Sequence, residues 1–574
     1  MGALRLVLAA LTLGVAWGTL LAHAFSSGWL VAPIAAFIGA VLYHQRLRRE
    51  RARVERGAAF YRRGIERIED RWMGAGGPAG ERFNDPHHIY AADLDLFGRG
   101  SLFELLCTAR TRMGEQCLAE WLRTPAPPQA IRARHAAVAE LRTRMALREQ
   151  VAVLGESAGA GVYPEALVAW TQLPNTLLQQ RWLGWMAWLL PVLAVATLIA
   201  WVVIGIVVPF IVVLAVEGAL LYRIKERAEQ VLFGVENAFD GLALFCALLE
   251  RLGRERFEAA SLQGLMQRLS SHTLPAAAAM ARLARLANYA GSRRNQLGQL
   301  LGTPLMYSVH VARAAERWRA LHGSAVQGWV EAVGEFEALS CLATYGYEHP
   351  GDPFAELMEG PPGFEAAGLA HPLLPAGRCV RNDVTLAGAA RVLLISGSNM
   401  SGKSTLLRTV GINTVLAMAG APVRAHSLRL TQLQVGASIR INDSLQEGSS
   451  RFYAEISRIR ALFDAAGSAR QGADTRWPLL FLLDELLQGT NSTDRRVGAE
   501  GIVRAFMQRG AIGLITTHDL ALTQLRGLPT ESLRNLHFEE EITDGRMRFD
   551  YHLRDGVVTR SNAVALMRAV GLEV

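Results

Sequence analysis

The segment Gly397–Ser404 constrains the fold more than any other part of the chain. Its sequence, Gly-Ser-Asn-Met-Ser-Gly-Lys-Ser, matches in full the G-x-x-x-x-G-K-[ST] pattern of loops that hold phosphate groups. The apolar run 391–395 before it predicts a buried strand, and residues 404–419 predict a helix. Backbone amides and the helix N-terminus then converge on one point, which favours an anion. The pattern therefore predicts an α/β domain with the loop at the carboxyl end of a parallel strand.

Side chains in and after this loop have predicted chemical roles. Lys403 is expected to reach the outer phosphates of a nucleotide, while the Ser404 hydroxyl coordinates magnesium. A second apolar run, 479–483, predicts a strand that ends in Asp484 and Glu485. Asp484 is predicted to hold the magnesium ion through water, and Glu485 to orient or deprotonate the attacking water. The predicted cofactors are therefore ATP and Mg²⁺.

A third predicted strand, 512–516, leads to His518. At the carboxyl end of a parallel strand, a histidine can sense the γ-phosphate of a bound nucleotide. Taken singly, this histidine and the acids at the second strand end are also consistent with solvated turn residues. The predicted catalytic residues are Lys403, Glu485 and His518, and the predicted magnesium ligands are Ser404 and Asp484. The predicted nucleotide-binding residues are Gly397, Ser398, Asn399, Met400, Ser401, Gly402, Lys403, Ser404 and Thr405.

Two blocks of the sequence are almost free of charged residues. In the first block, residues 3–43, a short polar turn at 26–28 separates the apolar runs Leu4–Ala24 and Trp29–Tyr43. A dense series of arginines follows at once, which the positive-inside rule assigns to the cytoplasm. This pattern predicts a transmembrane hairpin with the main body of the chain in the cytoplasm. A cleaved signal peptide with its site at 22–24 is the alternative for the first run.

The second apolar block, residues 182–222, is about twice as long as one membrane span and has Glu217 as its one charge. Basic residues flank both of its ends, so a second hairpin with both ends in the cytoplasm satisfies the same rule. A buried core hairpin of a soluble domain is the alternative. We therefore predict a multi-pass protein of the inner, cytoplasmic membrane.

The stretches between and after these blocks have the composition of amphipathic helices. Residues 131–156 and 226–339 are rich in Ala, Leu, Arg and Glu, with apolar residues at helical spacing. The net charge of +8 suits a nucleic acid or anionic lipid partner. Arginine-rich helix faces could grip phosphates, although a solvated helix face is the more frequent explanation. The five cysteines have no C-x-x-C spacing, so they indicate neither a zinc site nor a disulfide framework.

Taken together, the motifs resemble the MutS family of DNA-processing ATPases. The phosphate loop has Asn399 and Met400 at its centre, as in the MutS form, although Ser398 stands where the family usually has proline. The segment 95–106 resembles the opening of the MutS core domain. Further similar segments are His371-Pro372, Asn382-Asp383, 421–425, the signature region 436–456, the interface loop 484–494 and the closing segment 535–572.

The resemblance implies a MutS-like P-loop ATPase, of the ABC type, that works as a homodimer. Ser450 matches a residue at a helix start that contacts the γ-phosphate bound by the other subunit, so two subunits complete each site. The long core helices are then levers that close a clamp around double-stranded DNA when ATP binds. Mismatch repair is implied by resemblance alone, because no space for the mismatch-reading domain is expected before residue 85.

The sequence thus predicts a multidomain protein with transmembrane helical hairpins, an all-α lever and core domain and a carboxyl-terminal α/β ATPase domain. Two other functions stay open. One is an ABC-type transporter, although the chain has no L-S-G-G-Q signature. The other is an ATP-switched membrane clamp for a partner other than DNA. The predicted domains are the first hairpin 1–46, a basic linker 47–84, the lever domain 85–345 with the second hairpin at 182–222, and the ATPase domain 346–574.

Overall fold

The protein consists of a helical part that ends at Glu348 and an α/β part that follows it. This division, seen in a computed structural model, confirms the predicted multidomain architecture of a mostly helical amino-terminal part and a carboxyl-terminal domain with sheets. The structure describes residues 2–20, 27–157, 164–237, 239–270, 274–292, 302, 304–398, 400–440, 451–467, 477–488, 490–523, 529–543 and 546–558.

In the described ranges up to residue 348, the α-helices are the main regular elements. Helix α13 is 42 residues long, and its buried face, from Val309 to Tyr345, forms the centre of the helical core. The bounds are α1 Gly2–Leu20, α2 Val31–Ile68, α3 Leu102–Leu106, α4 Arg112–Arg123, α5 Pro128–Thr143, α6 Met145–Ser157, α7 Pro164–Gln172, α8 Arg181–Ile204, α9 Val208–Asn237, α10 Phe239–Leu252, α11 Ala260–Ser270, α12 Ala276–Ser292 and α13 Tyr307–Glu348.

Helix α2 continues without a break from the first apolar block through the arginine-rich segment. Its helical pairs Arg46–Glu50 and Arg51–Glu55 each join side chains four residues apart, at 3.2 and 2.7 Å. Such pairs support a helix where it is exposed to solvent. The segment predicted to be a basic linker is therefore largely helical as far as Ile68.

One helix in the described part of the chain, α8, is long and apolar enough to cross a membrane. The prediction of two transmembrane hairpins is therefore not supported as a whole. Helix α8 does form a hairpin with α9, because Gly205 adopts the left-handed φ of 82° between them and Trp201 stacks on Phe210. The outer face of α8 is apolar and open, since Trp185 and Trp188 are 80% and 71% exposed.

In the described residues of the α/β part, ten strands form two sheets. The larger sheet has the order β10-β9-β4-β8-β7-β6, and its strands are parallel except for the edge strand β10. The smaller, mixed sheet has the order β1-β5-β2-β3. The bounds are β1 Glu356–Leu357, β2 Phe364–Leu369, β3 Asn382–Leu386, β4 Val392–Ser396, β5 Ser427–Leu430, β6 Gln434–Ser438, β7 Leu479–Leu483, β8 Ile512–Thr517, β9 Leu533–Thr543 and β10 Arg546–Asp555.

Helices cover both faces of the larger sheet, which explains why its central strands are apolar throughout. Strands β4, β7 and β8 are buried at every position. The covering helices are α14 Lys403–Ala419, α15 Arg451–Gly467 and α16 Ser492–Gln508. The predicted strands at 391–395, 479–483 and 512–516 are confirmed to within one residue, as is the helix after the phosphate loop.

Candidate functional site

Three neighbouring parallel strands bring the predicted site residues to one edge of the sheet. Strand β8 lies between β4 and β7, and the register pairs Ser396 with Thr517 and Leu483 with Ile515. The phosphate loop follows β4, the two acids follow β7, and His518 follows β8. Residues far apart in the sequence therefore meet where ligands of open α/β sheets bind.

The loop after β4 folds around the ammonium group of Lys403. This group donates hydrogen bonds to the backbone oxygens of Gly397 and Ser398, at 2.8 and 2.7 Å. The backbone adopts the left-handed region at Gly402, with φ 103°, and at Met400, with φ 69°. For a residue other than glycine this conformation is strained, and such strain concentrates at ligand sites. Asn399 lies outside the described residues.

The two predicted magnesium ligands are in direct contact. The Ser404 hydroxyl donates to Asp484 Oδ2 at 2.5 Å, although the two residues are 80 positions apart. Thr516, on the strand between them, donates its hydroxyl to the other oxygen of Asp484. The same hydroxyl accepts a hydrogen bond from the backbone N–H of Glu485, at 2.9 Å. One threonine therefore positions both acids.

Glu485 and His518 are neighbours at the outer side of this cluster. The histidine Nδ1 lies 3.9 Å from Glu485 Oε1, and the His518 side chain is partly exposed. Glu485 lines the cavity described below, whereas His518 is not among its described lining residues. Glu485 also has a left-handed φ of 50°, which fits a strained turn that aims an acid at a ligand.

The electrostatics of the loop suit an anion. Burial lowers the pKa of Lys403, while the nearby carboxylates of Glu485, Asp484 and Glu540 act in the opposite direction. Ser401 is 2% exposed, and its hydroxyl oxygen has no hydrogen-bond partner in the part of the chain that the structure describes. A buried hydroxyl without a partner is costly, and a phosphate oxygen bound at the loop would satisfy it. The residues present therefore fit a nucleotide phosphate.

A cavity of about 880 Å³ opens beside the loop. It is polar at the loop and the acids, and apolar where Leu369, Phe538 and Tyr551 face it. Tyr551 approaches Gly402 so closely that an added Cβ would lie 3.2 Å from its ring. Of the predicted nucleotide-binding residues, the cavity wall includes Met400, Gly402, Lys403, Ser404 and Thr405.

Several residues at the site escaped the sequence reasoning. Thr516 belongs to β8, which is buried at every position, so its side chain gave no separate signal in the sequence. Its role depends on the register between β7 and β8, which the sequence alone does not determine. The Ser398 hydroxyl donates a hydrogen bond to Glu540 of strand β9, which is far along the sequence but lies next to β4 in the sheet. Burial lowers the pKa of His371 to about 4, so this lining histidine is neutral at physiological pH. The signal for His371 in the sequence was its place in a short segment that resembles the MutS family. Ser450 lies outside the described residues.

The fold and the loop define a class, the P-loop α/β domains, in which a parallel strand, a phosphate loop and a helix follow one another. Residues 393–573 match MutS domain V. The chain is 32% identical over 267 residues to the DNA mismatch repair protein MutS 2 of Halobacterium salinarum. The aligned region covers 46% of this chain and 28% of that protein. It is 35% identical over 210 residues to the endonuclease MutS2 of Thermus thermophilus, covering 35% of this chain and 25% of the relative.

The chain is also 30% identical over 277 residues to the DNA mismatch repair protein MSH6 of Arabidopsis thaliana. This aligned region covers 45% of this chain and 20% of the relative. The chain thus spans about a quarter of the length of these relatives. The domain match and these similarities thus relate the carboxyl-terminal part of the chain to MutS proteins.

Proposed function

We propose that the chain is a membrane-anchored MutS-like ATPase that binds ATP and Mg²⁺ in the cavity beside Lys403. In this proposal it works as a homodimer, and its nucleotide cycle opens and closes the helical levers around double-stranded DNA. The observation that carries the nucleotide site is the 2.5 Å contact between Ser404 and Asp484. A hydroxyl at the start of a helix and a carboxylate at the end of a strand form a ligand pair for magnesium.

Each residue of the cluster then has a definite task. Magnesium, when bound, would neutralise phosphate charge, and Ser404 and Asp484 are the residues that would hold it. Lys403 exchanges its bonds to loop carbonyls for bonds to phosphate oxygens. Glu485 accepts a proton from the attacking water or orients that water, and His518, 3.9 Å away, is placed to sense the charge of Glu485.

The test of the nucleotide site is ATP hydrolysis by the detergent-purified chain with and without Mg²⁺. Lys403→Ala is expected to abolish ATP binding, and Glu485→Gln to retain binding while lowering kcat by about 100-fold or more. Arg504→Gln, on the exposed side of α16, is the matched control and retains both properties. Hydrolysis by Lys403→Ala at the rate of the unaltered protein contradicts the proposal.

The charges of the levers bear on whether DNA is the partner. Many lever arginines are held by acids, such as Arg144 with Glu140 and Glu255 at 2.6 and 2.9 Å. Arg319 is buried against Glu316. Such arginines are engaged in structural contacts, an observation that favours the second candidate, a membrane clamp for a partner other than DNA. If DNA is the partner, the exposed arginines in α12, such as Arg282, are the residues that we expect to contact its phosphates.

The two candidates differ in the effect of removing α12 charge. If DNA is bound, Arg282→Ala with Arg285→Ala weakens duplex affinity and reduces its salt dependence, while ATP hydrolysis is retained. The measurement is duplex affinity at two salt concentrations, with matched, mismatched and branched duplexes and with and without ATP. The absence of duplex binding by the unaltered protein rules out the first candidate and supports the second.

Membrane anchoring is supported by the open apolar face of α8. Trp185, Trp188 and Val202 are 71–80% exposed, and a bilayer is an environment that covers such a surface without cost. The expected result is that the chain stays in the membrane fraction after alkaline extraction. Release into the aqueous fraction means that a protein partner, rather than lipid, covers this face.

A further inference from the structure

The carboxyl-terminal end of α2 is fixed to the end of the lever helix α13. Arg67 donates to both carboxylate oxygens of Glu348, with Nε to Oε2 at 2.8 Å and Nη2 to Oε1 at 2.7 Å. The two side chains are 11% and 5% exposed. Two-point contact between planar groups favours one relative orientation, so this buried pair helps to hold the end of α2 on the lever. Glu348 is the last residue of α13.

The same end of α2 also contacts a wall of the nucleotide cavity. We name residues 370–380 the cavity segment, because His371, Leu374, Arg378, Cys379 and Val380 all line the cavity. The Asp70 carboxylate accepts a hydrogen bond from the backbone N–H of Ala376, in the middle of this segment, at 3.3 Å. Asp70 follows α2 and has a left-handed φ of 56°, which turns the chain where this contact is made.

The start of the cavity segment is held from another direction. The N–H of Ala370 donates to the backbone oxygen of Arg424, at 2.8 Å, and the Arg424 guanidinium donates to Asp352 at 3.3 Å. Asp352 in turn accepts from Tyr345 of α13, at 3.4 Å. The segment is therefore tied to the lever end at its start through Arg424, and α2 provides a tie at its middle.

We propose that Asp70 and Arg67 are positioning residues for the nucleotide cavity, and that α2 sets the affinity for ATP by holding the cavity segment against the end of the lever. This inference rests on the proposed function of the cavity as an ATP site. Neither residue is among those that line the cavity. Because α2 is one continuous helix from Val31 to Ile68, a single element connects the apolar amino-terminal block with the turn at Asp70 that contacts the cavity segment.

The test uses the full chain in detergent and the variant Asp70→Ala. The KM for ATP is expected to rise by about two- to tenfold, the loss of one hydrogen bond to a charged acceptor, with kcat unchanged. Asp70→Asn keeps an acceptor oxygen and is expected to restore KM. Glu69→Ala, next in the chain and paired with Arg71 at the surface, is the matched control. An unchanged KM in Asp70→Ala overturns the inference.

A second measurement separates this inference from the proposed function. Without nucleotide, amide hydrogen exchange in the cavity segment is expected to be faster in Asp70→Ala than in the unaltered chain. Unchanged exchange refutes the positioning role, whatever the cavity binds. Faster exchange in a chain that does not bind ATP refutes the ATP site and keeps the positioning role.

The pair Arg67 and Glu348 offers an independent variant. Changing both residues to Met avoids leaving one buried charge alone, which on its own endangers folding. The double variant is expected to raise the KM for ATP as Asp70→Ala does, again with kcat unchanged. A double variant that folds and hydrolyses ATP with the unaltered KM contradicts the role of the pair.

Discussion

Thr516 provides a sharp test of how the acids of the site are held. Its side chain is fully buried, and its hydroxyl is shared between the Asp484 carboxylate and the N–H of Glu485. Thr516→Val removes this hydroxyl at nearly constant shape. A hydrogen bond to a charged group contributes about 1.5–3 kcal/mol. At 1.36 kcal/mol for each factor of ten, losing this positioning in the transition state lowers kcat by about 10- to 100-fold.

The assay is steady-state ATP hydrolysis at saturating ATP and Mg²⁺, with ATP affinity measured separately. Affinity is expected to change by less than about threefold, because Lys403 and its loop are not altered. Thr516→Ser keeps the hydroxyl and is expected to keep kcat within about fivefold.

The matched control for a lost buried hydroxyl is Thr414→Val. Thr414 is equally buried, but its hydroxyl donates only to the Val410 oxygen of its own helix, at 2.8 Å, among the described contacts. This variant is expected to hydrolyse ATP normally. A Thr516→Val protein with kcat within about twofold of the unaltered chain refutes the view that this threonine positions the acids.

Two further predictions concern stability. Burial raises the pKa of Glu337 to about 7 from 4.5. Between these two pH values the folded chain holds a proton that the unfolded chain releases. The contribution of Glu337 to the free energy of unfolding therefore falls by about 3 kcal/mol as pH rises from 4.5 to 7. Glu337→Gln is expected to remove that component from the pH dependence of Tm. Gly513→Ala places a Cβ 2.3 Å from the Phe481 backbone oxygen and is expected to destabilise the fold by about 1–3 kcal/mol. Gly501→Ala, whose Cβ meets open space, is the control and is expected to leave stability unchanged. Urea unfolding measures both variants. An equal midpoint for the two glycine variants contradicts this packing.

The nucleotide domain was predictable because its signals are local. The phosphate loop and the apolar runs before it and before Asp484 are each continuous in sequence, and parallel strands bring their carboxyl ends to one edge. The bond between Ser404 and Asp484 follows from that edge. Identity and spacing of residues sufficed here, because buried parallel strands leave few alternatives for an apolar run that is followed by acids.

Other parts depend on contacts that no local pattern records. The small mixed sheet is made of short strands, of which β1 has two residues, and strand β4 and helix α14 lie between β3 and β5 in the sequence. Helix α2 runs past residue 46, where the sequence suggested a boundary, because alternating Arg and Glu support a helix as well as a linker. The contact of Asp70 with Ala376 joins residues 306 positions apart. Such pairings become visible only when the fold is known.

Helix α8 and helix α2, which is apolar in its first part, both contact α13, and this links the proposed anchoring to the proposed motion of the lever. Near its start, His310 of α13 contacts the backbone oxygen of Ala187 in α8, at 2.8 Å, and Glu348 at its end holds Arg67 of α2. A helix of 42 residues is about 63 Å long, so its two ends are far apart. If a bilayer holds both apolar helices, α13 cannot swing at one end without tilting one helix against the other. Under the proposed function, membrane anchoring would therefore limit the lever motions that a nucleotide cycle could drive.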